Sequence, residues 1–562
     1  MTKTQLIECV PNFSEGNDLS IIKQITDAIE ATDGVTLLDV DPGKATNRTV
    51  VTFVGPPACV IDAAVAAARR AADLIDMRKH RGAHPRFGGL DVCPLVPISG
   101  ITMEETVVHA RTLARRLGDE VGLSIYCYEN AALHPSRRNL ASVRAGEYEG
   151  LADKMKGPDG KPDFGPSELN PGTGATAVGA RDFLVAYNVN LNTTSTRRAN
   201  TIAFDVRETG RVKREGDHPT GTVIKDAEGK PVWEPGMLQA VKAIGWYIEE
   251  YGVAQISMNL TNISITPVHV AFDAVCERAT ARGMRVTGSE LVGLIPLSAM
   301  LDAGRHFLRK QQRSVGVSDR ELIKIAVKSL GLDDLYPFKP EEKIIEYRLA
   351  TGGPRKLVDL SLRAFVEETA SESKAPGGGS VAAALGAMGA ALATMVANLS
   401  SHKRGWDDRW EELSEWADRG KRLHDELLRL IDEDTNAFNA IIAANRLPSD
   451  TADEKRIREE TIARATKAAI EVPLSAMRRA LESMDVIEAM AESGNPASVS
   501  DAGVGALCAR AAVMAAFLNV RINTADMTDQ EYVESVLAEG RRMVDAAIAR
   551  EKAVLQIVDG KM

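Results

Sequence analysis

The sequence predicts a multidomain chain in which two α+β units of similar build are followed by an all-α helical bundle. Three observations carry that expectation. The chain has 562 residues, more than one hydrophobic core usually serves, so about two to four domains are expected. Strand-like and helix-like runs alternate up to about residue 180, and the alternation restarts after a Gly/Pro-rich stretch, Gly157 to Gly179. Beyond YPFKPEEKIIEYRLATGGPRK (Tyr336–Lys356), which is rich in proline and paired glycine, the composition turns to Ala, Leu, Glu and Arg with no strand-like run. The expected boundaries are 1–180, 181–335, a linker over 336–356, and 357–562.

In the first unit QLIECVPNF (Gln5–Phe13) and VTLLDVD (Val35–Asp41) read as strands around a helix from Leu19 to Ala31, and RTVVTFVG (Arg48–Gly55) joins the second. A long helix from Ala58 to Ile75, a basic loop, a strand at LDVCPLVPI (Leu90–Ile98), a helix from Met103 to Leu117 and the strand SIYCYEN follow. In the second unit FLVAYNVNL (Phe183–Leu191), AQISMNLTN (Ala254–Asn262) and RVTGSELVGLIP read as strands. The runs Thr196–Glu208 and Val268–Arg282 read as helices, and VIKDAEGKPVW, within the polar stretch Gly210–Gly236, as a hairpin. Long amphipathic runs at Asp407–Ala444, Thr451–Ala491, Ala502–Val520 and Asp529–Val558 make the bundle. Val381–Ala397 carries no charge and approaches the length of a membrane span. Alanine and glycine dominate it, and small side chains suit close helix contact, so a buried bundle helix is expected.

Composition narrows the function classes. Apolar residues at 44% and charged residues at 26% exclude a disordered or fibrous chain. Lys plus Arg number 68 against 78 Asp plus Glu, a net charge of −10, which argues against a nucleic-acid binder resting on phosphate neutralisation. Six scattered cysteines without a C-x-x-C pair suggest neither a zinc ribbon nor a disulfide framework. Met1–Val10 lacks a basic segment leading into an apolar core, so no signal peptide is expected, and the expected location is the cytoplasm, away from membranes.

Three segments have chemical potential. MRKHRGAHPRFGGLDVCP (Met77–Pro94) gathers Arg78, Lys79, His80, Arg81, His84 and Arg86. His80 and His84 have i,i+4 spacing, but Gly82 and Pro85 oppose a helix and no H-E-x-x-H glutamate is present, so a metal site is not expected. An imidazole titrating near neutrality can shuttle protons and the arginines can hold carboxylates, although a plain solvated basic loop has the same composition. GPSELNPGTGATAVGARDF (Gly165–Phe183) is a glycine-rich entry into a strand that matches no phosphate-loop pattern. It reads equally as a ligand cradle or a linker. In APGGGSVAAALGAMGAA, Gly377–Gly379 precede Ser380, a candidate N-cap. On HDELLRLIDEDTNAFNAII, Asp434 falls on the stripe Leu427, Leu430, Ile431, Phe438 and Ile441, so its carboxylate is expected inside the bundle with a raised pKa. An interior hydrogen bond would place it there equally well. Asp432 and Glu433 are expected on solvated faces.

Several blocks together resemble the formimidoyltransferase-cyclodeaminase family: QLIECVPNFSEG, LLDVDPGKATNRTVVTFVG, HPRFGGLDVCP, VKAIGWY, LVGLIPLSAMLDA, PFKPEEKIIEY, APGGGSVAAALGAMGAALATMV and FLNVRIN. They run through nearly the whole chain in order. The resemblance implies two ferredoxin-like subdomains followed by a helical cyclodeaminase domain. It implies transfer of a formimidoyl group from N-formimidoyl-L-glutamate to N5 of tetrahydrofolate, then closure to 5,10-methenyltetrahydrofolate with release of ammonia, in histidine degradation. It further implies His84 as the transferase acid–base residue and Asp434 as the cyclodeaminase carboxylate. The folate segment falls on Gly165, Pro166, Ser167, Glu168, Leu169, Asn170, Pro171, Gly172, Thr173 and Gly174. Asp41, Asn47, Arg81 and Arg86 are further candidates for holding substrate or orienting the histidine. The implied ligands are small molecules, with tetrahydrofolate, in free or polyglutamylated form, as co-substrate, no metal, no nucleic acid, and a homo-oligomeric state. The rivals are another donor such as formimidoylglycine, a tail acting as a methenyltetrahydrofolate cyclohydrolase, and a non-catalytic oligomerisation tail.

Overall fold

The structure, a computed structural model, describes residues 5–43, 47–82, 86–157, 160–216, 221–249, 251–350, 356–525, 527 and 529–562. Packing separates two units, residues 1–299 with 330–351 and residues 300–329 with 352–562.

Among the described residues the first unit contains two main sheets and one short two-stranded hairpin. In the larger one, β1 (Leu6–Cys9) and β2 (Asn12–Phe13) are two pieces of one line of chain, antiparallel to β4 (Arg48–Gly55) on one side and β5 (Leu90–Ser99) on the other. Pro11, which has no N–H to give to a ladder, lies in the break. Strand β3 (Thr36–Gly43) flanks β4, while β7 (Ala175–Ala180) and β6 (Ser124–Glu129) extend the sheet from β5 in parallel. Helices α1 (Leu19–Glu30), α2 (Pro57–Leu74) and α3 (Met103–Arg116) contribute Ile25, Ile29, Val60, Ala68 and Leu113 to one core with Ile7, Cys9, Phe53 and Leu95. Asp18 caps α1 by accepting from the N–H groups of Ser20 and Ile21, and Thr102 with Glu105 forms a capping box on α3. Ala175–Ala180, at the end of the stretch expected to divide the subdomains, is a fully buried strand of this sheet. ATAVGA conceals it because its small residues show no apolar alternation.

Glu8 alternates with Ile7 and Cys9 and therefore points away from that core. It is only 3% exposed. Burial pushes its carboxyl up to about 7, against an opposing attraction from Arg181. A carboxyl raised in the folded state binds more protons folded than unfolded, so its contribution is present below its ordinary range and is lost as pH rises through 7. Glu8→Gln is expected to remove that slope and to stabilise the protein at pH 8 by on the order of 2 kcal/mol. Thermal melts of both proteins at pH 5 and pH 8 check it; parallel pH dependences would refute the assignment.

The smaller sheet has strand order β9 (Val241–Ile248), β10 (Val253–Leu260), β8 (Val185–Leu191), β11 (Val286–Val292), antiparallel throughout. Helix α4 (Thr196–Val206) follows β8 and α5 (Val268–Thr280) follows β10. Strand β9 was not among the sequence expectations because apolar residues occupy its outer face too, with Ile244 and Trp246 exposed. The polar insert after α4 folds back as a hairpin in which Trp233–Glu234 pairs with Arg211–Val212.

The second unit begins with α6 (Leu297–Lys310), whose residues from Met300 belong to it, and α7 (Asp319–Leu330). It continues with α8 (Leu362–Thr369), α9 (Gly378–Ser401), α10 (Trp410–Asn445), α11 (Ala452–Ser493), α12 (Val499–Thr524) and α13 (Gln530–Asp559). Residues 300–329, which precede the expected linker, pack with the helical unit. Gly316 lies against the backbone of Ala417, the Val315 N–H donates to Ser414 Oγ at 3.0 Å, and Asn398 Nδ2 donates to the Gly316 carbonyl at 2.7 Å. Within the expected linker, Pro340–Lys343 and Ile345–Ala350 are helical, and Ile345 is buried with Leu38 and Val54 of the first unit. The alanine-rich helix α9 buries Ala382, Ala383, Ala390, Ala393 and Ala397. Its Gly389 meets α12 so closely that a Cβ would lie 2.9 Å from the Gly505 carbonyl oxygen. By length and composition α9 and the stretch Pro496–Thr524 are apolar enough to cross a membrane, and most of the apolar window of α9 is packed inside the bundle.

Candidate functional site

In the first unit the basic loop and the glycine-rich segment are stitched together by backbone. The Met77 N–H donates to the Gly172 carbonyl and the Gly89 N–H to that of Thr173, both at 2.8 Å, and Gly88 bridges Gly174. Gly174 has φ of +68°, and a Cβ there would lie 2.5 Å from the Phe87 carbonyl oxygen, so the close approach requires glycine. The segment is held from inside by Asn170, whose Oδ1 accepts from Gly172 N and whose carbonyl accepts from Gly174 N. Tyr148 OH donates to the Pro171 carbonyl and Ser124 Oγ to that of Pro166. Gly165, Pro166, Ser167, Glu168, Asn170 and Pro171 are exposed, with Leu169, Gly172 and Thr173 half-buried and Gly174 buried. This is a rim with rigid anchorage and a free outer surface.

His84 lies outside the described residues. Its neighbours in sequence are tightly held. His80 is buried, and its Nε2–H donates to the Asn47 carbonyl at 2.7 Å. Asn47, in the left-handed region at φ +48°, accepts through Oδ1 from Gly16 N and Asn17 Nδ2 and donates through Nδ2 to the Arg81 carbonyl at 2.8 Å. Arg81 donates to the His80 carbonyl at 2.6 Å. Arg86 reaches the same carbonyl, pairs with Glu149, and lies 5.2 Å over the Tyr148 ring. Asn47, Arg81 and Arg86 are therefore one cluster. Asp41 is exposed on β3 opposite Val50, and no hydrogen bond between described residues joins it to that cluster.

Arg48, Asp91 and Arg144 were not among the sequence candidates. Arg48 follows Asn47, donates to Asn12 Oδ1 at 2.5 Å and lies 3.6 Å from Asp91, which also pairs with Arg144. Burial lowers the Arg48 guanidinium to about 10. Asp91 gives no signal in sequence because LDVCPLVPI reads as an apolar strand.

In the second unit Asp434 lies in α10, where α9 begins. The Ser380 hydroxyl donates to Asp434 Oδ2 at 3.1 Å and to the Ile431 carbonyl at 2.9 Å. A Cβ on Gly379 would sit 2.1 Å from Asp434 Oδ1. The carboxylate thus occupies the N-terminal end of α9, where unpaired N–H groups favour an anion. Burial raises its pKa, and hydrogen bonds from Ser380 oppose the rise. Such a group takes up and releases protons closer to neutrality than an ordinary aspartate. Ile431 also lines an apolar cavity of about 370 Å³ with Leu357, Phe365, Met388, His424 and Leu428. Three expectations are corrected here. Ser380 is not the N-cap, which is Gly377; its hydroxyl is turned across to α10. Asp432 is not simply solvated, since it accepts from the Leu357 N–H at 2.6 Å. Phe438 is 42% exposed and so leaves the interior stripe.

Gly379→Ala is expected to push the Asp434 carboxylate from the helix end, because the colliding atom is part of a hydrogen-bonded group that cannot simply swing away. A melting point lowered by several degrees, with any turnover that depends on Asp434 reduced about tenfold or more, is expected. Unchanged stability and activity would show that the close approach is not maintained.

Comparison with known proteins covers both units. Residues 6–181 match the family model "Formiminotransferase domain, N-terminal subdomain", residues 186–350 "Formiminotransferase domain", and residues 361–542 "Formiminotransferase-cyclodeaminase". A formimidoyltransferase-cyclodeaminase from Rattus norvegicus is 41% identical over 560 residues, covering 100% of this chain and 99% of the relative. A glutamate formimidoyltransferase from Thermoplasma acidophilum is 40% identical over 57% of this chain and 98% of its own length. A methenyltetrahydrofolate cyclohydrolase from Methylorubrum extorquens is 36% identical over 36% of this chain and 97% of its own.

Proposed function

The chain belongs to the formimidoyltransferase-cyclodeaminase family, and we propose from this the division of labour between its two units. The enzyme is bifunctional: it transfers the formimidoyl group of N-formimidoyl-L-glutamate to N5 of tetrahydrofolate, then closes the product to 5,10-methenyltetrahydrofolate with loss of ammonia. The observation that carries this reading is the match to one bifunctional relative across essentially all of both chains.

In the first step N5 attacks the formimidoyl carbon of the donor. His84 takes the N5 proton and returns a proton to the departing glutamate nitrogen, a role suited to a group titrating near neutrality. Residues 165–174 receive the folate at the rim stitched to the basic loop, and Asn47, Arg81 and Arg86 keep that loop in place for an anionic substrate. Asp41 retains only its place at a strand end. In the second step N10 attacks the amidine carbon, and Asp434 moves the proton that lets nitrogen leave as ammonia. Its burial, its raised pKa and its seat against Ser380 support that role.

The ferredoxin-like reading of the first unit is supported by a shared order. With β1 and β2 counted as one line, the part of the larger sheet up to β5 and the whole of the smaller sheet run strand, helix, strand, strand, helix, strand, and in both the first strand is flanked by the third and the fourth; β6 and β7 are additions to the larger sheet. The same reading makes histidine degradation the pathway, the cytoplasm the location and a homo-oligomer the assembly. Its ligands are small molecules, with tetrahydrofolate in polyglutamylated form as well, and no metal, nucleic acid or membrane takes part. A second reading, a cyclohydrolase tail, is favoured by the methenyltetrahydrofolate cyclohydrolase that matches the helical unit.

One assay separates them. Purified protein with tetrahydrofolate and formimidoylglutamate should produce methenyltetrahydrofolate absorbance and ammonia in equal amounts. A tail that consumes methenyltetrahydrofolate without ammonia release is a cyclohydrolase, and turnover of formimidoylglycine in place of formimidoylglutamate would change the donor.

A further inference from the structure

The first unit holds a second basic concavity, on α4 and its inserted hairpin, apart from the loop and rim described above. A cavity of about 550 Å³ is lined by Arg197 and Phe204 of α4 and by Arg207, which follows it, together with Arg211, Arg214 and Trp233 of the hairpin. That volume falls in the range of small-molecule sites. Among the described residues no carboxylate lines it. Arg211 is accounted for, because Asp205 lies between it and Arg282. Arg207 donates through Nε to the Gly210 carbonyl and stacks 4.2 Å from the Phe204 ring, and Arg214 donates to the Gly221 carbonyl at 2.9 Å. These contacts orient the guanidinium groups without neutralising them. Among the described residues neither Arg197, Arg207 nor Arg214 has an ion pair.

Three guanidinium groups that have no ion pair among the described residues surround one cavity, in a chain of net charge −10, and repel one another unless an anion joins them. Forked guanidinium donors match phosphate oxygens in bidentate fashion, and several converging on one cavity suit linked phosphates better than one isolated charge. Trp233 is 54% exposed at the same cavity and offers a flat face for a ring. We propose that this cavity is a binding site for a nucleotide-sized oligophosphate, with Arg197, Arg207 and Arg214 on the phosphates and Trp233 against the base. It is independent of the transferase and ring-closing reactions, since none of its residues belongs to their proposed machinery.

The test is titration of the full chain with ATP, with pyrophosphate and with citrate at fixed ionic strength, by calorimetry and tryptophan fluorescence. ATP is expected to bind with the highest affinity, pyrophosphate more weakly and citrate least. Reversing two cavity charges in Arg197→Glu/Arg214→Glu should weaken ATP binding by about tenfold or more. Arg198→Glu/Lys213→Glu makes the same charge change outside the lining and should alter it by less than about threefold. Trp233→Phe should remove the fluorescence response while leaving the fold, read by circular dichroism, intact. Absence of ATP and pyrophosphate binding at millimolar concentration would overturn the proposal. So would equal losses in the two double variants, or citrate binding as tightly as ATP.

Discussion

Asp434→Asn is expected to slow ammonia release from 5-formimidoyltetrahydrofolate by roughly 10²- to 10⁴-fold while formimidoyl transfer continues, so that the intermediate accumulates. Asparagine keeps the shape and can still accept from Ser380, but it carries no titratable proton. The bundle should therefore stay folded, and the loss should appear in turnover. The pH profile offers a sharper reading. Burial raises the Asp434 carboxyl, and the Ser380 hydrogen bonds restrain the rise by favouring the charged form. Ser380→Ala removes one of those bonds and should move the Asp434-dependent limb of the pH–rate curve to higher pH with only a modest loss of maximal rate. If Asp434→Asn releases ammonia at the original rate with an unchanged pH profile, the helical unit closes the ring by other groups or serves another purpose.

Asp434 was legible in sequence because two independent signals converged on it. One was its place on a helical stripe and the other the chain's resemblance to a known family. Its partner Ser380 was legible only as a helix start. The hydroxyl's reach to Ile431 and Asp434, 51 and 54 residues away, is a product of packing, and the glycine that permits the approach reads locally as a flexible turn. The helices of the bundle were readable for the same reason as Asp434, since a period of 3.6 residues persists through long runs. The sheets were less so. Ala175–Ala180 is too uniformly small to show a period, and Val241–Ile248 places Ile244 and Trp246 outward, which masks the alternation of its buried face. The proline and glycine residues over 336–356 report local backbone punctuation. They say nothing about Ile345, whose burial against Leu38 and Val54 ties the segment to the first unit.

The other large effect concerns two histidines four residues apart. His84→Ala is expected to reduce formimidoyl transfer by roughly 10²- to 10⁴-fold and leave closure of supplied 5-formimidoyltetrahydrofolate intact. His80→Ala is expected to behave differently, for a physical reason visible in the fold. His80 is buried with Nε2 committed to the Asn47 carbonyl, and Asn47 in turn ties Gly16, Asn17 and Arg81 together. Removing that imidazole leaves a carbonyl short of its donor and should cost about 1–3 kcal/mol of stability. A lower melting point would then accompany a smaller loss of turnover, on the order of tenfold, arising from a loosened loop. The discriminating readout is the pH dependence of kcat for transfer. In His80→Ala the limb near neutrality should persist, because the group that titrates in catalysis is still present; in His84→Ala it should vanish from whatever activity remains. The opposite pattern, with the limb lost in His80→Ala and kept in His84→Ala, would transfer the acid–base role to the buried histidine and make its backbone contact a tautomer lock.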